Sequence, residues 1–497
     1  MNFATFKVPE MAKVESRVRP PPSDRPSPTE EQQSIVDFVK ANPSTNVMIN
    51  AYAGTGKSTT LEMVDDVLPS KPALYLVFNK DAAKKAEKRF PSTTTVRTLN
   101  ALGHRVWMKS VSGVNLDGKK SWDILKEVGS DLRGDDRECF AEVVSGVSLA
   151  KSLGYVPKGP QATGLLSKEE FHASLEDRPS PLVAELIDSV LLESIKLAFK
   201  GLIDFNDQIY MPTLFGGSFP RYPSVLVDEA QDLNPLNHEM LYKVGKGWVG
   251  AVGDPWQSIY GFRGAVRQGM QVIQSHYSMH PHTISQSFRC PEAIVQAARW
   301  RVPDYKAMKP GGRYEILSRL VPSEIPDGAA IICRNNAPLL KAAFRLLASE
   351  RSVQVVGSDI GPRIIKIMQK LGHEDTTRAT LLDEIQEWRL TKLAITNVPG
   401  YVEDTAACMT VFAGYGKTLG QAIAYADYIF KSQGTIKLLT GHKSKGLEWP
   451  VVYHLEPSLI GDHEQDRNLY YVIQTRASER AYEIAMEDIE WPSLAAD

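Results

Sequence analysis

Short apolar runs recur along the chain, and the residues between them carry helical spacing. Ala73-Leu74-Tyr75-Leu76-Val77-Phe78, Ser224-Val225-Leu226-Val227 and Trp248-Val249-Gly250-Ala251-Val252 read as strands buried on both faces. A later set repeats the pattern at Ala329-Ala330-Ile331-Ile332-Cys333, Ile436-Lys437-Leu438-Leu439 and Val451-Val452-Tyr453. Between the strands, Ile35, Val36 and Val39 mark one face of a helix that Thr29 can cap. Thr94-Thr95-Val96 adds a short strand. Strand alternating with helix predicts parallel sheets, so the expected fold class is α/β with two cores in tandem.

The alternation is interrupted twice. Residues 101–200 read as helical, with turn signals at 111–120 and 154–164, and 358–432 carry few strand signals. We therefore expect a first core from 28–100 and 201–265, with 101–200 as a helical insertion. A second core comprises 266–357 and 433–497, with 358–432 as a smaller insertion. Residues 1–27 form a polar tail ending in a Pro-rich run, expected to be extended or disordered.

Candidate chemistry centres on Ile49-Asn50-Ala51-Tyr52-Ala53-Gly54-Thr55-Gly56-Lys57-Ser58-Thr59. It reads as strand end, glycine loop and helix start. Gly54 and Gly56 allow successive N–H groups to face a phosphate chain, and the helix dipole favours an anion there. Ala53 through Thr59 form the cradle. Lys57 supplies a point charge and Ser58 a hydroxyl for Mg²⁺. Ala51 stands where the usual pattern has Gly. The competing reading is a chance glycine turn.

A second strand end supplies acids. Val227-Asp228-Glu229-Ala230-Gln231 leaves a buried strand at its C-terminal edge, where α/β sheets place ligands. Asp228 is the expected Mg²⁺ ligand opposite Ser58, and Glu229 the base that orients and deprotonates a water. Gln32 can read an adenine edge, since its amide both donates and accepts. After the next strand, Gln257 can sense a γ-phosphate, Tyr260 and Phe262 can stack on bases, and Arg263 can hold a DNA phosphate. Two aromatics and an arginine at this spacing also fit ordinary packing. In the helical insertion Arg105, Trp107, Lys109 and Trp122 are weaker DNA candidates.

Composition restrains this picture. The 497 residues are 43% hydrophobic and 23% charged, as in an ordinary globular protein. Net charge is −2, so a nucleic-acid surface has to be a local groove rather than a global field. The basic helix at 81–89, with Lys84, Lys85, Lys88 and Arg89, also reads as a solvated face. The four cysteines show neither zinc spacing nor a disulfide framework, which fits a reducing cytoplasm. No apolar run approaches membrane-spanning length, and no signal-peptide core opens the chain.

The run Gly253-Asp254-Pro255-Trp256-Gln257-Ser258-Ile259-Tyr260-Gly261-Phe262-Arg263-Gly264-Ala265, with Val-Asp-Glu-Ala-Gln at 227–231, resembles superfamily 1 helicases of the UvrD/Rep/PcrA type. Motifs of that set recur from about residue 28 to 478. Phe78-Asn79-Lys80 and Ser285-Gln286-Ser287-Phe288-Arg289 look particularly like the F-box DNA helicase branch. The resemblance implies two RecA-like motor domains with ATP between them and single-stranded DNA across their top. It implies that Gln32 reads adenine, Phe288 stacks on it, and Arg289 and Arg476 reach the γ-phosphate from the second domain. It further implies that Glu448 meets the ribose and that His442 lies near DNA and Gln257. Phe78, Asn79, Thr98 and Asn100 fall in blocks that line the DNA path.

The sequence departs from the family pattern in several places, among them the insertion at 358–432, which is much shorter than its equivalent in the large bacterial relatives and leaves a different or dual directionality open. Thr98-Leu99-Asn100-Ala101 replaces a block that usually carries His-Ser, and Ile473-Gln474 replaces a small residue and a hydrophobic. Gln474 is expected to alter packing near DNA. Ile203-Asp204-Phe205-Asn206-Asp207 also resembles a family segment and is expected to support the motor core. The function expected is an ATP- and Mg²⁺-dependent DNA helicase, a monomer moving 3′→5′ on single strands and acting at junctions with duplex. Replication or recombination proteins are possible partners. The alternatives are an ATP-driven translocase that strips proteins from DNA, an RNA helicase, and a nucleotide-dependent DNA-binding or clamp-loading module.

Overall fold

The computed structural model describes residues 26–132, 139–157, 164–175, 179–261, 264, 268–357, 360–393 and 399–491. The expected tail up to residue 25, and the candidates Phe262 and Arg263, lie outside them.

The first sheet is built from β1 (Val47–Ala51), β2 (Ala73–Val77), β3 (Thr94–Thr98), β6 (Ser224–Val227), β7 (Trp248–Gly253) and β8 (His280–Ile284). A short pair, β4 (Asn115–Leu116) and β5 (Leu202–Ile203), stands apart. The order is β3-β2-β6-β7-β1-β8, parallel throughout. Helices cover its faces, so β2, β6 and β7 are buried along their whole length, which explains their unbroken apolar runs. Since β6, β7 and β1 are neighbours, the segments leaving their C-terminal ends converge at one rim.

The first lobe extends beyond the boundary expected at 265/266. The helix Gly269–His276 leads into β8, which pairs with β1 from Val47↔His280 to Ala51↔Ile284. This strand lies at the sheet edge with His280, Pro281 and Thr283 exposed. It therefore lacks the apolar run that marks the interior strands.

Between β3 and β6 the helices Leu99–Ser110, Lys120–Val128, Phe140–Leu153, Lys168–Ala173 and Pro181–Phe199 pack into the same core as the sheet's lower face. Trp107 belongs to this core, with its indole N–H donating to the Ala198 carbonyl at 3.3 Å. It is no DNA-facing residue. Trp122 sits half-exposed, edge-on to Phe140.

The second lobe starts with the pair β9 (Gln286–Pro291) and β10 (Lys306–Lys309). Its main sheet takes β11 (Arg313–Leu317), β12 (Ala330–Cys333), β13 (Val353–Val355), β14 (Ile436–Thr440), β15 (Trp449–Leu455) and β16 (Ala477–Ile484). The order is β11-β16-β15-β12-β14-β13, again parallel. Helices Ile360–Met368, Arg378–Leu393, Pro399–Tyr415 and Leu419–Lys431 form the smaller insertion. They pack on the core of this lobe. A further apolar cluster joins the two lobes: Tyr52 and Ala53 of the glycine loop pack with Cys290, Ile294, Tyr305, Tyr471 and Val472.

Candidate active site

The glycine loop leaves β1 and enters the helix Lys57–Asp66. Gly54 and Gly56 adopt φ of +69° and +83°, a region that side-chain-bearing residues rarely occupy. Gly56 caps the helix without any side-chain hydrogen bond, so the first turn presents its N–H groups uncapped. Lys57 Nζ donates to the carbonyls of Ala51 at 2.9 Å and Tyr52 at 3.3 Å, and lies 3.9 Å from Asp254. Thr55 Oγ1 closes the loop on the Tyr52 carbonyl, and Thr59 Oγ1 accepts from Arg89. This geometry suits a polyphosphate.

At the end of β6, Ser58 Oγ lies 3.2 Å from Asp228 Oδ2, and the Tyr75 hydroxyl donates to the same oxygen at 2.5 Å. Two hard oxygens on facing elements fit an oxygen-seeking cation such as Mg²⁺. Burial and the charge of Glu229 push Asp228 up to about 6. Glu229 moves the other way. Burial opposes its ionisation, but Lys57, Lys445, the amide of Gln231 and Arg476 together outweigh it and hold the carboxyl low. Paired acids pushed apart suit unlike roles. Glu229 stands at φ +51°, a left-handed conformation unusual for a non-glycine residue, and Gln231 Nε2 donates to its Oε2 at 2.6 Å.

Gln231 also links this acid to the neighbouring strand end, because its Oε1 accepts from the Asp254 N–H at 3.0 Å. Asp254 is fully buried and accepts from Gln257 Nε2 at 2.7 Å. Gln257 is thus two hydrogen bonds from Gln231 through Asp254.

The facing lobe supplies cations. A Cβ placed on Gly54 would lie 2.5 Å from Arg289 Cβ, so Arg289 sits directly on the loop. Its Nε pairs with Glu448 Oε2 at 2.5 Å and its Nη1 donates to the Thr475 carbonyl. Arg476 is buried and donates to the carbonyls of Val472 and Leu447. Burial and the nearby Arg289 charge pull its pKa down to about 10. Gln32 and Phe288 flank Gly56 together: a Cβ there would lie 3.3 Å from Gln32 Nε2 and 3.8 Å from the Phe288 ring. Gln32 Oε1 accepts from the Thr29 N–H and its Nε2 donates to Thr60, which fixes the amide's orientation.

Nothing in the local sequence marks Lys445 as a site residue. It crosses from the second lobe to Asp232 at 2.7 Å and to the Gln257 carbonyl at 2.6 Å. Burial pushes Asp232 up to about 6 against the pull of Lys445. The lysine lies between His442 and Glu448 in the chain, but only the fold discloses a partner 213 positions away.

On the adjoining surface Phe78 and Tyr260 stack with centroids 6.0 Å apart and planes 9° off parallel. Tyr260 donates to the His442 carbonyl, and Lys445 Nζ stands 5.0 Å over its ring. Asn79 caps the helix Lys80–Glu87 and Thr98 caps Leu99–Ser110. Asn100 Nδ2 holds the Phe205 carbonyl and Gln208. Gln474 is buried, accepting from Trp300 Nε1 and donating to the Tyr314 hydroxyl.

Comparison with known proteins gives two family matches. Residues 161–278 match the UvrD/REP helicase N-terminal domain, and 435–482 match the UvrD-like helicase C-terminal domain. The chain is 23% identical to F-box DNA helicase protein 1 of Schizosaccharomyces pombe, covering 92% of this chain and 58% of that protein. It is 24% identical to F-box DNA helicase 1 of Gallus gallus, covering 90% and 48%. The ATP-dependent DNA helicase Rep of Escherichia coli is 22% identical over 54% of this chain and 42% of its own. The chain therefore spans about half the length of these F-box relatives. No helix among the described residues is long and apolar enough to cross a membrane.

Proposed function

We propose that this chain is a superfamily 1 helicase of the UvrD/REP type, which hydrolyses ATP to move along single-stranded DNA, 3′→5′, and to open duplex. The observation that carries this reading is the meeting of Lys57, Ser58, Asp228 and Glu229 from one lobe with Arg289 and Arg476 from the other. A triphosphate bound by the glycine loop would find acids on one side and cations on the other.

Each residue's part follows from its place. The uncapped N–H groups of the helix Lys57–Asp66 and Lys57 bind phosphate oxygens. Ser58 and Asp228 would hold Mg²⁺, which neutralises phosphate charge when bound. Glu229, held ionised, orients a water and accepts its proton. Arg289 and Arg476 stabilise negative charge that develops at the transferring phosphoryl group. Arg289 must first leave Glu448, which frees that carboxylate for the ribose. Phe78 and Tyr260 offer π-faces to bases of any sequence. Gln257 connects that surface to the cleft through Asp254.

Unwinding of 3′-tailed, 5′-tailed and blunt duplexes, run beside ATPase assays, tests the reading. Wild-type protein should open the 3′-tailed substrate with ATP. Glu229→Gln should bind ATP but lose turnover by about 10²-fold or more, the scale of a lost general base. Lys57→Ala should lose both. Turnover that survives Glu229→Gln would remove that residue from the chemistry.

A further inference from the structure

The glycine loop is held by three hydroxyl groups of the facing lobe. Ala53 N–H donates to the Tyr471 hydroxyl oxygen at 3.1 Å. The Ala53 carbonyl accepts from Ser287 Oγ at 2.9 Å and from the Tyr305 hydroxyl at 2.6 Å. One residue on, the Gly54 carbonyl accepts from the Phe288 N–H at 2.9 Å. All three hydroxyl-bearing residues are fully buried.

These residues are placed where closure matters. Ser287 lies two positions before Arg289 on β9. Tyr471 lies on the helix Glu464–Gln474, which leads directly into Arg476. The Tyr471 hydroxyl also stands 3.4 Å from Asp254, the partner of Gln257. Tyr305 packs edge-on to both Tyr52 and Tyr471 within the apolar cluster that joins the lobes. A single loop residue thus bonds both arginine-bearing elements and, through the Tyr471 hydroxyl, is linked to Asp254.

We propose that Ser287, Tyr305 and Tyr471 are positioning residues that clamp the Ala53 peptide and so bias the two lobes toward closure. The clamp uses protein groups alone, so it favours the closed arrangement whether or not nucleotide is present. A ligand gripped by both lobes binds only the closed form, and its apparent affinity scales with the closed fraction. Where lobe opening limits release, the same bias slows turnover. Removing one clamp hydroxyl therefore weakens ATP binding without lowering kcat. This rests on the proposed ATP site.

The test uses the full chain with a fluorescent ATP analogue for binding and a steady-state ATPase assay on single-stranded DNA. Tyr471→Phe, Tyr305→Phe and Ser287→Ala each delete a hydroxyl and little else. Tyr155→Phe is the control, because that buried hydroxyl bonds Asp188 within the helical insertion. Each clamp variant should raise the analogue's Kd and the KM for ATP about three- to tenfold, the span of one net hydrogen bond. Its kcat should hold or rise, and its Tm should stay near that of Tyr155→Phe. Clamp variants with wild-type or tighter affinity would overturn the proposal, as would a fall in kcat at unchanged KM. If wild-type protein bound no analogue at all, the ATP site itself would be refuted and the clamp with it. Binding by wild type with no change in the variants would refute the clamp alone.

Discussion

Lys445 shows how much of a site rests on a single side chain. Its ammonium lies in a buried cross-lobe pair with Asp232, whose carboxyl burial already pushes up to about 6. Removing one member of a buried pair leaves the other charge uncompensated and typically costs about 3–5 kcal/mol, whereas replacing both is far cheaper. Lys445→Met should therefore lower Tm markedly and raise the Asp232 pKa further. Lys445→Met with Asp232→Asn should recover most of the loss. A double-mutant cycle by denaturant unfolding measures the coupling, and additive losses would show that the pair does not couple. At this scale the sequence is legible where chemistry is written into a local pattern. Gly54, Gly56, Lys57 and Ser58 are neighbours in the chain and had to be neighbours in space. Lys445 and Asp232 are not, and an exposed lysine and a buried one look alike in sequence.

Elements are legible when burial is uniform. The interior strands β2, β6 and β7 have no solvent face and therefore no polar alternation. Strand β8 fails the same criterion because its outer residues meet water, and the lobe boundary moved with it. The helical insertion was visible as a block, but what fixes it to the lobe was not. Lys120 and Lys151 meet Asp204 and Asp207 in a buried quartet, with contacts of 2.6 Å and 2.7 Å. Burial pulls Lys120 down. Burial also opposes the charge on Lys151, yet Asp207 and Asp204 outweigh it and hold that lysine above its ordinary value. The aspartates belong to the segment Ile203–Asp207, while the lysines belong to the helices Lys120–Val128 and Phe140–Leu153. Lys151→Met should strand two carboxylates away from one cation and cost about 3–5 kcal/mol. Thermal melts should then show a lower Tm, with a deficit that shrinks as pH falls far enough to protonate Asp204, whose carboxyl burial would raise but the Lys151 charge holds low in the wild type. A melt indistinguishable from wild type would mean that the quartet is not what joins the insertion to the lobe.

For the whole molecule, the proposed function asks how a strand of DNA outside the cleft would govern chemistry inside it. A continuous path of contacts is available. Phe78 stacks on Tyr260, which reaches His442. Lys445 sits over the Tyr260 ring and holds Asp232 and the Gln257 carbonyl. Gln257 holds Asp254, whose backbone N–H meets the side chain that steadies Glu229. On the proposed function, bases entering between Phe78 and Tyr260 would displace their mutual stacking, and a shift of Tyr260 would disturb the Lys445 ammonium over its ring. Phe78 is the better probe of this path, since it lies at the outer end and is partly exposed. Phe78→Ala removes one stacking face, worth about 1–3 kcal/mol per base. It should raise the concentration of single-stranded DNA needed for half-maximal ATPase stimulation about tenfold or more. ATP hydrolysis without DNA should fall much less. Titration of the ATPase with an oligothymidine measures both in one experiment. Equal losses with and without DNA would mean that Phe78 acts through the integrity of the first lobe, and the path would then have to begin at Tyr260.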